Sequence, residues 1–324
     1  MAQVFLTVDL GGTRIRAARC RAEGTIEART EVFTQADQGV EAVIARIESA
    51  VRSVWPTTDT AAAIGLVAPG PVDPWTGVVL MAPNLPGMIN LPLRDRLGDI
   101  FNVPIFIGND ANLAGLAEWR FGAARGYTDM IYLTVSTGIG GGVVSNGRLL
   151  LGSRGLAAEL GHITIDRNAG ICNCGNVGCL EWLASGTAIV RQAIERLRAG
   201  EPSQITDLVH GDLEALNVEI VEQAALQDDA VATAVLDKSL RALGLGVTSL
   251  LHIFNPSIVV IGGGVSNLGA RLFDAARATV KQYVMDPRYI CPIVPAQLSG
   301  DVGLLGALAL ALDPPPQRNA ALGQ

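Results

Sequence analysis

At 324 residues, 49% hydrophobic and 17% charged, the chain can bury a large core and is expected to form two domains, with nothing in its composition that signals disorder. A net charge of -7 and a pI near 5.0 argue against nucleic acid as the main partner, because phosphate backbones are met by clustered Lys and Arg. The amino-terminal MAQVFLTVDLGG lacks the features of a signal peptide, and no run of about 18 uncharged apolar residues exists, so a cytoplasmic enzyme acting on small molecules, with no membrane partner, is expected.

The opening VFLTVDLGGTRIRAARC predicts a hairpin: a strand, a tip at Gly11 and Gly12, and a second strand. GVEAVIARIESAVRSVW then carries apolar residues at helical spacing, and AAAIGLVAPGPV reads as a buried strand ending in a Pro and Gly turn, for a β, β, α, β order. VPIFIGND stops at Asn109 and Asp110 where ANLAGLAEWRFG begins a helix, and such junctions line crevices in open α/β sheets. DMIYLTVSTGIGGGVVSNGRLL repeats the opening design, with a glycine-rich tip from Gly138 to Gly142 and with Thr134-Val135 matching Thr7-Val8. This suggests two related half-domains with a boundary near Gly122. GTAIVRQAIERLRAG and the stretch from Asp229 to His252 predict helices. PSIVVIGGGVSNLGARLFDAARATV predicts a buried strand, a triple-glycine turn and a helix capped by Ser266. VGLLGALALAL is apolar on most faces and is expected to pack against a domain, while the tail DPPPQRNAALGQ is expected to fray.

The segment from Glu159 to Glu181 holds three of the five cysteines and one of the three histidines. His162, Cys172, Cys174 and Cys179, with Gly175 and Gly178 turning the backbone between sulfurs, offer three thiolates and an imidazole, a closed tetrahedral set suited to structural zinc. In a reducing compartment such a cluster reads as metal ligands more readily than as disulfides. Glu159 and Glu181 are not needed as ligands and are left for other work. Cys20 and Cys291 are expected to be small buried hydrophobes.

Three glycine turns each follow a buried strand: Asp9-Leu-Gly-Gly-Thr13, Thr137-Gly-Ile-Gly-Gly-Gly142 and Gly262-Gly-Gly264. Successive N–H groups at such turns can converge on phosphate oxygens. Lysine occurs only at Lys238 and Lys281, neither after a glycine turn, which excludes a P-loop; a divalent cation, naturally magnesium, must then offset the charge of a bound triphosphate. Asp9 is the candidate ligand or water-holder for it, or else simply satisfies the N–H groups of its own turn. Asp110 is the candidate base, since phosphoryl transfer to an alcohol needs one carboxylate to accept the hydroxyl proton; it is equally a candidate helix N-cap. Asn84, in MAPNLPGM, and Asn109 offer both donors and acceptors to hydroxyls, although Asn84 beside two prolines also suits a turn.

DLGGTRIR, PNLPGM, GNDAN, STGIGGG, ELGH and CNCGNVGCLE, in this order along nearly the whole chain, resemble the ROK family of sugar kinases and repressors, most of all its bacterial ATP-dependent glucokinases. The resemblance implies a two-domain actin-like ATPase (ribonuclease H-like) α/β fold with ligands in the interdomain cleft. It implies a small domain of residues 1–121, rejoined by a C-terminal helix at about 301–313, and a large domain of 122–300 that contains the zinc loop. It further implies ATP and a hexose, best glucose, as substrates, with Asp110 taking the proton from the 6-hydroxyl. Asn84, Asn109, Asp110, Glu159, His162 and Glu181 would hold the sugar. Asp9, Gly11, Gly12, Thr13, Thr137 and Gly138 would approach the phosphates and magnesium, and Gly262, Gly263 and Gly264 the adenosine. A homodimer is the family expectation, and the cysteine cluster favours ATP over polyphosphate. An imidazole bound to zinc through one nitrogen can donate its other N–H, which gives His162 a reason to serve both metal and sugar. A family repressor would need a DNA-reading module before the first strand, for which the sequence ahead of Gln3 is expected to leave no room.

Overall fold

The computed structural model describes residues 2–82 and 84–316, so the last eight positions of the expected frayed tail lie outside the described residues. The first half contains β1 (Gln3–Leu10), β2 (Arg14–Cys20), β3 (Ile26–Phe33), α1 (Val40–Ser53), β4 (Thr60–Ala68), β5 (Val72–Asp73), β6 (Val78–Met81), β7 (Ile89–Leu91), α2 (Leu93–Gly98), β8 (Ile105–Asn109) and α3 (Asp110–Phe121). The second half adds β9 (Met130–Val135), β10 (Ile139–Ser145), β11 (Arg148–Leu149), α4 (Leu180–Ala184), α5 (Gly186–Arg198), α6 (Ile205–Leu208), α7 (Val218–Ala225) and α8 (Ala230–Phe254). It closes with β12 (Ile258–Gly262), α9 (Ala270–Tyr283), β13 (Ile293–Pro295) and α10 (Val302–Leu312).

Two five-stranded sheets share one topology, β3-β2-β1-β4-β8 and β11-β10-β9-β12-β13. In each, a hairpin forms the antiparallel side and two further strands add in parallel. The half-domain repeat read from the two Thr-Val pairs is therefore present as a repeat of strand order. β3 was not expected from the sequence: it alternates half-buried and exposed residues at the sheet edge, and charged side chains mask its pattern. The three-stranded sheet β5-β6-β7 was likewise unforeseen, its strands being only two to four residues long.

Between the sheets lie α3 and α10. Val67 of β4 shares an apolar cluster with Leu113 and Leu116 of α3 and Ala307 and Leu310 of α10, while Ala114 on another face of α3 packs with Tyr132 of β9. Glycines set these distances. A Cβ built at Gly65 would stand 1.9 Å from the Ala307 carbonyl oxygen, and one at Gly306 2.4 Å from that of Leu113, so α10 lies backbone to backbone on β4 and α3. On the other side a Cβ at Gly140 would come within 2.8 Å of Ala111 Cβ, and one at Gly142 within 3.2 Å of Asn112 Cα. α3 thus rests on β10 through its glycines. The sequence-based tip from Gly138 to Gly142 is accordingly shorter: β10 begins at Ile139, and Gly140 to Gly142 are strand residues whose missing side chains admit neighbours.

Two smaller expectations are corrected. Ser266 does not cap α9; it lies in a 3-10 turn and donates to the Gly263 carbonyl at 2.7 Å, with Gly269 at the helix start. Cys20 is fully buried, but Cys291 is only half-buried. No helix among the described residues is long and apolar enough to cross a membrane.

Gly65→Ala should force α10 off β4 and destabilise the chain by about 2–3 kcal/mol, the usual cost of overpacking a core. Gly98→Ala, at a helix end with no atom within 4 Å of the added carbon, should leave the urea midpoint unchanged or slightly raised.

Candidate active site

A cleft of about 540 Å³ opens between the two sheets at the amino-terminal end of α3. Asp9, Asn109, Asp110, Thr137, Gly138, Glu159, His162 and Glu181 line it together. They arrive from five places: the end of β1, the β8–α3 junction, the β9–β10 turn, the turn holding Glu159 and His162, and the start of α4.

The junction resolves the competing roles read for Asp110. Asn109 is the N-cap of α3, its side-chain oxygen accepting from Asn112 N at 2.9 Å. Asp110 is therefore not spent on the cap. Its Oδ1 accepts from Ala111 N at 2.8 Å and from Asn109 Nδ2 at 3.0 Å, which fixes the carboxylate and leaves Oδ2 to the cleft. Asn109 Nδ2 also donates to the Gly70 carbonyl at 3.3 Å, so this amide is largely engaged in holding its neighbour. Water reaches Asp110, yet protein surrounds it on most sides. That desolvation, with a smaller contribution from the negative charge of Asp9, pushes its carboxyl above the ordinary value of 3.8.

Asp9 is paired with Arg16, whose other nitrogen donates to the Gly300 carbonyl at 2.6 Å. A Cβ at Gly303, in the first turn of α10, would stand 2.4 Å from Asp9 Oδ2, so only glycine lets the helix start this close to the carboxylate. Arg16, Gly303, Asn112, Tyr132 and Thr134 line the cleft without having been read as site residues. Asn112 is 5% exposed and its Oδ1 has no partner among the described residues, which makes it a buried acceptor aimed at the same space. The GNDAN run held the signal for it, but not the burial that gives it meaning.

The other expected residues, Asn84, Gly11 to Thr13 and Gly262 to Gly264, do not line this cleft. Asn84 touches the first glycine turn, 3.0 Å from a Cβ placed on Gly12, and lines an adjoining cavity of about 660 Å³ with Thr137, Gly138, Glu181 and Trp182. Gly11 is held by its N–H to the Arg14 carbonyl at 2.9 Å, and the Thr13 carbonyl accepts from Thr34 N at 2.8 Å. Gly262 to Gly264 lie beside the second turn: a Cβ on Gly263 would meet the Val135 carbonyl oxygen at 2.4 Å. Of the glycines in the three turns only Gly263 has positive φ, so close approach, not left-handed backbone, is what the others supply.

His162, Cys172, Cys174 and Cys179 bring one ligand atom each to within 4.8 Å of one another. Cys174 Sγ is 3.7 Å from Cys179 Sγ, and Cys172 Sγ is 3.8 Å from His162 Nδ1. A tetrahedral zinc site with arms of about 2.3 Å has sulfur–sulfur edges of about 3.8 Å, so the donor set fits that ion. Burial pushes Cys172 up and Cys179 up to about 12, whereas a hydrogen bond from the Asn176 backbone lowers the exposed Cys174. Without a cation two of these groups are neutral thiols; a divalent ion makes thiolates favourable. Glu181 couples this loop to the cleft. Its Oε2 accepts from Ile139 N at 2.8 Å, in the second glycine turn, and its Oε1 lies 3.8 Å from Cys172 Sγ.

The ROK family model matches residues 5–314. A glucokinase of Thermotoga maritima is 39% identical over 308 residues, 94% of this chain and 96% of its own, and an N-acetylmannosamine kinase of Shigella flexneri is 33% identical over 310 residues, 95% and 98% of the two chains. Among solved structures, the ROK glucokinase of Streptomyces griseus in complex with glucose and AMPPNP superposes with a TM-score of 0.77 at 34% identity, covering 95% of this chain and 98% of that one. The ROK hexokinase of Thermus thermophilus superposes with a TM-score of 0.81 at 35% identity, covering 95% and 97%. Two sheets of like topology around a shared ligand cleft define a two-domain actin-like ATPase fold. Within that class the chain belongs to the ROK family.

Elemental analysis should find about one zinc per chain, as a closed four-ligand set requires. Cys174→Ser or strong chelation should lower both the melting temperature and the activity. A metal-free protein of full activity would refute this.

Proposed function

We propose that this chain transfers the γ-phosphoryl group of ATP to the 6-hydroxyl of a hexose, with glucose the preferred sugar. The observation that carries the proposal is Asp110: a carboxylate relieved of capping by Asn109, raised in pKa, and lining one cleft with Asp9, the second glycine turn, Glu159, His162 and Glu181. Relatives named as glucokinases, one crystallised with glucose and AMPPNP, support both substrates.

The sugar lies against Glu159, His162 and Glu181, with Asn84 over its edge and Asn109 orienting Asp110. Asp110 Oδ2 accepts the 6-hydroxyl proton as that oxygen attacks the γ-phosphorus, and the proton stays on the carboxyl while ADP departs. Gly12, Thr13, Thr137 and Gly138 approach the phosphates through backbone N–H groups and hydroxyls, with Gly11 holding the first turn through its N–H to Arg14, and Gly262 to Gly264 flank the adenosine. Magnesium brought with ATP offsets phosphate charge. With Oδ2 tied to Arg16, Asp9 fits the holding of a magnesium-bound water better than direct ligation. His162, Cys172, Cys174 and Cys179 would hold a zinc ion whose part would be structural, fixing the loop that carries Glu159 and Glu181. Residues 1–121 with the helix at about 301–313 form the small domain in this reading, residues 122–300 the large one, and closure between them excludes water from the transfer. The chain acts as a cytoplasmic homodimer.

N-acetylmannosamine is the second candidate sugar, favoured by the Shigella relative. An ADP-release assay over a hexose panel, with ATP and polyphosphate compared as donors, tests the proposal. ATP-dependent turnover highest on glucose supports it; no turnover on any hexose overturns it.

Asp110→Asn should lower kcat by about 10²–10⁴-fold, the usual worth of a general base, while sugar affinity stays within about tenfold. Because the folded-state pKa is raised, ionised Asp110 opposes folding at neutral pH, so this variant should be no less stable than the parent in calorimetry. The base must be ionised to act. The acid limb of kcat/KM should therefore titrate above the ordinary Asp value of 3.8, activity rising with pH through it.

A further inference from the structure

We infer that Glu118 is the pin of the hinge between the two halves, a positioning residue that acts on Asp110 through α3. Its side chain is fully buried and is not part of the cleft. Oε2 accepts from Ala123 N at 2.8 Å, and Oε1 accepts from Gln297 N at 2.9 Å and Leu298 N at 2.8 Å. The carbonyl of the same residue accepts from Gly122 N at 3.1 Å and Ala124 N at 3.0 Å.

These donors belong to both covalent connections between the sheets. Residues 122–129 lead from α3 out to β9, and residues 296–301 lead from β13 back to α10. One carboxylate therefore ties the outgoing and the returning strand of chain to a single point on the helix that begins with Asp110. Three backbone donors converge on it, and only an acceptor on both atoms suits them: a glutamine would turn its amide donor toward an N–H. Gly122 makes room, since a Cβ there would lie 2.1 Å from Oε2. The return connection is further held to the first sheet by Arg16 on Gly300 and by Arg29 on Asp301. Rotation of one half against the other must pivot where both connections are fastened. Asp110 is eight residues along the helix, about 12 Å away, so a tilt of about 5° at Glu118 moves the carboxylate by about 1 Å. A misplacement of that size is enough to cost about 100-fold in rate.

The kinetic part of this inference rests on the phosphotransfer reading above; the structural part does not. Residue-resolved hydrogen exchange on the full chain should show Ala123, Gln297 and Leu298 amides protected, and E118Q should lose at least tenfold protection at all three together while β12 keeps its own. At a temperature where circular dichroism reports a folded chain, E118Q should lose at least tenfold in kcat with a smaller change in sugar KM. A merely structural role would lower the melting temperature and leave kcat per folded molecule intact. Gly122→Ala, which displaces the carboxylate without removing its charge, should reproduce both effects and replaces E118Q if that variant does not fold. Protection lost at one connection only, or kcat within twofold of the parent, overturns the hinge role. If the parent phosphorylates no hexose, the kinase reading falls and the exchange result alone decides whether Glu118 is the pin.

Discussion

Backbone-to-backbone approach at glycine governs the cleft. α3 lies on β10 only because Gly140 and Gly142 present no side chain to Ala111 and Asn112, and α10 lies on β4 only because Gly65 presents none to Ala307. A single methyl at these contacts would force a helix to shift. Asp110 stands at the start of the helix that these glycines admit. The same economy places Asp9 beside the start of α10, where Gly303 admits it.

The cysteine loop extends this constraint to the opposite wall. Glu181 reaches the second turn through Ile139 N and the Cys/His cluster through Cys172, while His162 faces Cys172 with Nδ1 and also lines the cleft. A metal held by that cluster would fix the orientation of both side chains. No lysine lines the cleft, and Arg16 is the arginine there.

Much of this was legible in sequence because it is local. Hairpins, the strand-to-helix junction at Asn109 and the spacing of His162, Cys172, Cys174 and Cys179 each announce themselves within a few residues. What stayed hidden depends on partners distant in the chain. Whether Asn109 or Asp110 capped α3 turned on one hydrogen bond to Asn112. Gly140 to Gly142 looked like more of a turn until a helix was seen lying on them. β3 and the small β5-β6-β7 sheet are edge or very short strands, with too little apolar alternation to read. Glu118 gives no sequence signal at all, because its donors at Gln297 and Leu298 lie far along the chain.

The placement of α10 bears on how the chain is made as well as on how it works. This helix buries Leu304 to Ala311, covers the inner face of β4 and β1, and follows every strand of the second sheet in sequence. During synthesis the first sheet can form its strand pairs early, yet its inner face stays uncovered until α10 leaves the ribosome. A growing chain of this design carries an open apolar surface through most of its translation, which is the state in which long chains aggregate or recruit chaperones. The first sheet's core is thus completed by α10, the last helix among the described residues.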